Sequence, residues 1–133
     1  MFKPLSNIVT SVLLAIIVVA CVNPPEPDQG KWQGSAKIGF SLADIHDDGL
    51  RGEAGGLVSV SYEFCLPADE QVYRDVEQID PSLRIYPHSP GRIGCGENQS
   101  LAIGETHQAG WRMILKELSS LAYVEEIREC FFE

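Results

Sequence analysis

The side chains with the clearest chemical potential lie in one short stretch, residues 88–99, which reads His-Ser-Pro-Gly-Arg-Ile-Gly-Cys-Gly-Glu-Asn-Gln. Its glycines and proline predict a tight loop rather than a helix or strand. His88 offers a titratable base, Arg92 a fixed cation, Glu97 a carboxylate and Cys95 a thiol. These are groups that bind polar ligands, so we take the loop as a candidate binding surface.

Histidine and carboxylate spacing gives little support for a metal site. The chain has three histidines in separate segments, at His46, His88 and His107, and no two of them have the spacing of a zinc-binding pair. His107 lies outside residues 88–99, but we keep it as a fourth candidate binding residue, with His88, Arg92 and Glu97. Three acids before a glycine-rich stretch are weak candidates for a cation: Asp44, Asp47 and Asp48. They do not form an EF-hand, because the twelfth position counted from Asp44 is Gly55 rather than a bidentate Glu. We therefore predict no metal and no cofactor.

The N-terminal segment has the pattern of an export signal. Residues 1–7 carry one cation, Lys3, and no acid, and residues 8–20 are almost wholly apolar. A helix of that length would span about 20 Å, which is short of a bilayer core. The pattern is typical of a signal peptide rather than a transmembrane helix.

The end of that apolar run, Val18-Val19-Ala20-Cys21, resembles the lipobox of bacterial lipoproteins. The resemblance covers residues 1–21 and implies cleavage after Ala20 and lipid on Cys21. Several acyl chains on one residue would anchor the protein firmly. It then lies outside the cytoplasm on the cell membrane or outer membrane, and Val22 in place of Asp favours the outer membrane if the cell is Gram-negative.

Composition divides the chain and limits its partners. We predict a signal peptide over 1–20, a lipidated Cys21 with a proline-rich tether over 21–33, and one domain over 34–133. The chain has 10 Lys and Arg against 19 Asp and Glu, a net charge of −9. Such an acidic chain is not expected to bind nucleic acid and would reach the membrane only through its lipid. A basic protein or a small ligand is the expected partner.

Hydrophobic periodicity predicts five strands and two helices in the domain. The predicted strands are 35–42, 57–66, 83–86, 100–104 and a last one that starts near Val124 or Glu126. The predicted helices are 68–79, which ends at Asp80-Pro81, and a second one that follows a cap at Thr106. Residues 43–56 are predicted to form a loop.

From residue 57 onward the order is strand, helix, strand, strand, helix, strand. This order predicts an α+β, ferredoxin-like two-layer sandwich, with two helices on one face of an antiparallel sheet. The strand over 35–42 is an extra N-terminal strand beyond this order, and the sequence does not indicate which strand it pairs with. In that topology the end of strand 57–66 meets the loop after strand 83–86, so Cys65 and Cys95 are the preferred disulfide. Cys130 is then expected to be buried and free.

Two functional interpretations follow. The favoured one is a noncatalytic, membrane-anchored extracytoplasmic binding module, because no group of residues marks an active site. The alternative is a small extracytoplasmic hydrolase or metal-dependent enzyme. It would require the side chains of His88, Arg92, Cys95 and His107 to converge on one pocket.

Overall fold

The computed structural model describes Trp32 and residues 34–132. The predicted signal peptide over 1–20 and the lipidated Cys21 lie outside the described residues, as does all of the predicted tether except Trp32. The indole of Trp32 packs against the hydrophobic core. Within the described part of the chain, no helix is both long enough and apolar enough to cross a membrane.

The described residues form two helices and six strands. In chain order these are β1 (Leu50–Arg51), β2 (Val58–Ser59), β3 (Ser61–Pro67), α1 (Glu70–Ile79), β4 (Arg84–Tyr86), β5 (Gln99–Glu105), α2 (Trp111–Ser120) and β6 (Ile127–Glu129). Strands β1 and β2 pair with each other, and the other four form an antiparallel sheet in the order β4-β5-β3-β6. Each helix therefore connects two strands that are separated by one other strand. The predicted α+β sandwich is confirmed.

Strand β3 lies in the middle of the sheet and carries the core. Tyr62, Phe64 and Leu66 are each at most 1% exposed and point to one face of the sheet, which we call the inner face. They belong to a single core cluster with helix residues, namely Val76 of α1 and Trp111, Leu115 and Leu118 of α2. Burying a side chain of this size stabilises the fold by about 1.5–3 kcal/mol, so the alternation along β3 determines which face the helices cover.

The strand predicted over 35–42 is not formed, and that prediction was wrong. The chain turns there, with the Ile38 amide donating to the Ser35 carbonyl at 3.0 Å. Ile38 makes only one parallel bridge, to Ile127, and the Gly39 amide donates to the Ile127 carbonyl at 2.9 Å. The apolar side chains of this segment still pack on the core. An irregular segment laid over a core can thus show the same period of two as a strand.

The strand predicted over 57–66 is divided into β2 and β3 at Val60. The Thr106 hydroxyl accepts from the Val60 amide at 3.1 Å and donates to the Gly49 carbonyl at 2.6 Å. The prediction that Thr106 caps α2 was wrong. The N-cap residue is Gly110, which is in the left-handed conformation. Since Thr106 is fully buried, its hydroxyl serves the interior of the domain instead of a helix end.

The loop predicted over 43–56 contains the short β1 strand and is tied to the start of α2. The Trp111 indole donates to the His46 carbonyl at 3.1 Å. The Arg112 guanidinium donates to the carbonyls of Leu42 and Ile45 at 3.3 and 2.9 Å. Side chains of α2 thus bind three carbonyls of the loop, two of which, those of Leu42 and His46, also accept from loop amides at 3.3 and 2.9 Å.

Asp80 is a fully buried carboxylate that joins the end of α1 to the sheet. It accepts hydrogen bonds from the Tyr62 hydroxyl, from the amide and hydroxyl of Ser82 at 2.9 and 2.7 Å, and from the Gln108 amide group at 2.8 Å. Burial and, after it, the negative charge of Asp80 raise the pKa of Tyr62, so the hydroxyl stays protonated and donates. α1 ends at Ile79, as predicted from Pro81.

We expect Tyr62→Phe to lower the free energy of unfolding by about 1–3 kcal/mol, because it leaves a buried carboxylate oxygen without its donor. Urea denaturation would measure this loss. The control is Tyr86→Phe, which removes the same hydroxyl from a ring that is 41% exposed and should change stability by less than about 0.5 kcal/mol. Equal losses in the two variants would contradict the structural role given to Asp80.

Candidate functional site

The loop between β4 and β5, residues 87–98, lies on the outer face of the sheet, opposite the helices. We call it the pinned loop. Its Gly91 approaches the sheet so closely that a Cβ atom there would lie 2.6 Å from a methyl group of Leu101 and 2.9 Å from a carboxylate oxygen of Glu63. A side chain there would force the buried ends of Leu101 and Glu63 to move, so glycine lets the loop backbone lie directly against these side chains of β5 and β3.

A disulfide between Cys65 and Cys95 attaches the pinned loop to β3, and it is the pairing predicted from the sequence. The Cα atoms are 5.4 Å apart, and the bridge closes a segment with a sequence separation of 30. Closing a loop of that length restricts the unfolded chain and is worth about 3–4 kcal/mol in the chain-entropy model. Cys130 is free and buried, as predicted.

The pinned loop also has a defined internal backbone. The Pro90 carbonyl accepts hydrogen bonds from the amides of Gly94 and Cys95 at 3.0 and 2.7 Å. The Gln99 side chain accepts from the Gly96 amide at 2.9 Å. Backbone turns, a side-chain contact and the disulfide therefore hold the loop in one shape, although its middle contains no regular secondary structure.

Of the four predicted binding-loop residues, the structure brings two together. His88 and Glu97 are both exposed and line the same concavity, which has a volume of about 320 Å³. His107 follows the far end of β5, where its ring bonds to the Asp48 carbonyl at 3.0 Å. At about 3.3 Å per residue, β5 spans about 20 Å, and this length of strand separates His107 from the pinned loop at the other end.

A second groove lies beside the pinned loop and was not anticipated from the sequence. It has a volume of about 340 Å³, and its walls include Lys37, Ile93, Gln99, Tyr123, Glu125 and Glu126. Lys37 donates to the Leu121 carbonyl at 3.0 Å, which joins the N-terminal wall to the end of α2. Burial and, after it, the charge of Asp75 raise the pKa of Tyr123, so its hydroxyl remains a donor.

Two chemically active groups are hidden on the outer face, beside the pinned loop. Glu63 is 2% exposed and Cys130 is 9% exposed. Burial and, after it, the charge of Glu63 raise the pKa of the Cys130 thiol, while the charge of Arg92 partly opposes them. The thiol therefore stays protonated at neutral pH and is a poor nucleophile. The sequence placed Glu63 on the polar side of β3, but only the position of the loop shows that it is buried.

The enzyme interpretation loses its nucleophile, because the Cys95 sulfur is bonded to Cys65. His107 is also separated from the loop by the length of β5. Within Trp32 and residues 34–132, no three His, Cys, Asp or Glu side chains are grouped so that they could hold a metal ion. The weak cation candidates are exposed surface acids: Asp44, Asp47 and Asp48. Asp48 accepts from the Leu50 amide at 3.0 Å and so serves as a turn residue.

Comparison of the chain with protein-family models, with curated proteins and with solved structures found no match.

We expect Gly91→Ala to be more destabilising than Gly94→Ala by about 1–3 kcal/mol. Both glycines have a positive φ, of 60° and 86°, but a Cβ at Gly94 would have no neighbour within 4 Å. The two substitutions therefore share the backbone strain, and their difference isolates the contact of the loop with the sheet. Urea denaturation measures this difference.

The Cys130 thiol provides a second measurement for the same pair of variants. Lifting the loop from Glu63 should expose this thiol, so a maleimide reagent should label Gly91→Ala faster than either Gly94→Ala or the wild type. Equal stability and equal labelling in the two variants would show that the close approach at Gly91 does not hold the loop.

Proposed function

We propose that this protein is a noncatalytic binding module, anchored by lipid on Cys21 and exposed outside the cytoplasm, and that the pinned loop is its recognition surface. The Cys65–Cys95 disulfide carries the proposal, because it fixes a chemically varied, exposed loop on a folded sheet. Disulfides persist in oxidising compartments and are rare in the cytosol. The bridge is therefore consistent with export by the predicted signal.

The construction of the loop favours binding over catalysis. A surface that is already ordered loses little conformational entropy when a partner binds, so more of the contact energy appears as affinity. The disulfide, the Gly91 contact and the internal turns all order the loop in the free protein. The cysteine that an enzyme would need as a nucleophile is instead used for this ordering.

Charge around the pinned loop favours a basic protein partner. Glu97 lies by one concavity and Glu125 by the groove on the other side, where the Arg128 guanidinium donates to the neighbouring Glu126 at 2.7 Å. The whole chain also has a net charge of −9, which attracts basic partners and increases the rate at which they associate. A cationic small ligand would use the same chemistry, but only a protein would cover both concavities at once.

We expect reversal of the loop charges to weaken partner binding. The full chain with Glu97→Lys and Glu125→Lys would be compared, as bait in extract of the source cell envelope, with a control that carries Glu77→Lys and Glu117→Lys on exposed helix positions. The two baits have the same net charge. The loop variant should retain about tenfold less of a partner that the wild type captures, since like charges would oppose a basic surface.

Quantitative mass spectrometry would compare the proteins retained by the three baits. Salt should weaken the interaction of a true partner, because exposed charges are screened. If the helix control loses as much of the partner as the loop variant, the attraction belongs to net charge and the pinned loop is not the binding surface.

Lipid anchoring makes a separate prediction. The wild type should sediment with membranes after a high-salt wash and should incorporate labelled palmitate. Cys21→Ser should do neither, because it lacks the sulfur that would be acylated. Cys130→Ser, which removes a different thiol, should behave as the wild type. Salt-resistant membrane association of Cys21→Ser would refute the lipid anchor without affecting the argument for the loop.

A further inference from the structure

The two edge strands of the main sheet differ in whether another segment pairs with them. The edge at β6 is covered by the N-terminal segment, whose Ile38 bridges to Ile127. At the other edge, β4 pairs with β5 on one side, and no described strand lies on its other side. An uncovered edge strand presents backbone groups that can pair with another chain.

Hydrogen bonding in the sheet indicates which groups β4 presents. The Thr106 amide donates to the Val60 carbonyl, next to β3, whereas the Glu105 amide points the other way and donates to the Ser82 hydroxyl. Amides alternate in direction along a strand, so odd-numbered residues of β5 face β4. Arg84 and Tyr86, which are opposite odd-numbered residues, must therefore bond to β5. The N–H and C=O of Ile85 between them then point away from the sheet.

The sequence of β4 is complementary to itself when two copies meet antiparallel. If Ile85 lies opposite Ile85 of a second copy, each donates to and accepts from the other, which makes two backbone hydrogen bonds around a two-fold axis. Arg84 of each copy then lies opposite Tyr86 of the other on the outer face. Arg84 is exposed, and the Tyr86 ring is 41% exposed in the single chain. A guanidinium over a tyrosine ring is a favourable cation–π pair, and the symmetry makes two.

We propose that β4 is a homodimer interface, through which two copies of this chain join their sheets into one of eight strands. Pro81 and Pro87 bracket β4 and keep the ladder short, since proline donates no amide hydrogen bond. The two-fold pairing uses the β4 edge of both copies, and the β6 edge is already covered. The assembly therefore closes at two copies instead of growing into a filament.

The surface beside β4 adds apolar contact. A groove of about 480 Å³ lies on the outer face next to this strand, with Tyr86, Ile103 and Phe132 among its walls. Phe132 is 72% exposed. A ladder of three residues alone buries less than the roughly 1,000 Å² expected of a stable interface. The dimer is accordingly weak and depends on concentration.

Cysteine cross-linking tests the register. In a hydrogen-bonded antiparallel pair the Cα atoms lie about 5.5 Å apart, which suits a disulfide. Ile85→Cys should therefore form a covalent dimer on mild oxidation of the full chain in detergent, in a background of Cys130→Ser. Val58→Cys, at an exposed position on the separate hairpin, is the control and should stay largely monomeric. Equal cross-linking of both variants, or none at Ile85→Cys, would overturn the proposal.

Sedimentation equilibrium of the full chain in detergent tests the side-chain pairs. Arg84→Glu should raise the dimer dissociation constant about tenfold or more, because both cation–π pairs are lost. Arg74→Glu, which makes the same charge change on the exposed face of α1, should leave it within about twofold. Added salt should strengthen the dimer, since each copy is acidic.

Three further results would contradict a homodimer at β4: a monomer at all concentrations, equal weakening by the two arginine variants, or cross-linking of Ile85→Cys to a different protein in the envelope instead of to itself. These measurements are independent of lipid on Cys21 and of the partner of the pinned loop. Their failure would therefore leave the proposed function to its own tests.

Discussion

The register of β3 against β5 is the constraint on which the rest of the structure depends. Seven residue pairs run from Ser61–Glu105 to Pro67–Gln99. The register places Tyr62 within reach of Asp80 on the inner face and Cys65 beside the start of β5 on the outer face. A slip of one residue would move every side chain of β3 to the opposite face. It would then disrupt the core, the buried carboxylate and the disulfide together.

Two glycines, one on each face of the sheet, allow close contacts that depend on this register. On the inner face, a Cβ at Gly104 would lie 2.6 Å from an Asp80 oxygen and 2.8 Å from the ring of Tyr62. On the outer face, Gly91 admits the pinned loop against Leu101 in the same way. In both places a missing side chain lets a polar or irregular segment reach the sheet, so each glycine belongs to a specific contact rather than to a flexible region.

Strands, helices and the disulfide were predicted correctly where the local sequence pattern and the tertiary contacts favour the same structure. The alternation of β3 marked its buried face, and the helix predicted over 68–79 is α1, which begins two residues later, after the Asp69 cap, and ends at Ile79 before Pro81. Topology then brought Cys65 to Cys95. Predictions were wrong where contacts with a distant segment determine the role of a residue. Thr106 has the chemistry of a helix cap, but its hydroxyl accepts from the Val60 amide and donates to the Gly49 carbonyl. Glu63 likewise lies on the polar side of the alternating pattern of β3, and it is buried because the pinned loop lies against it.

The two faces of the sheet carry different kinds of residues. The inner face holds the large apolar residues of the core, and the outer face carries a loop that contributes few of them. That loop is held by the contact at Gly91 and the covalent bond at Cys95, and His88 and Glu97 are exposed on it. His88 and Glu97 can therefore change with little effect on the fold, and a small domain can present different chemistry on the same support.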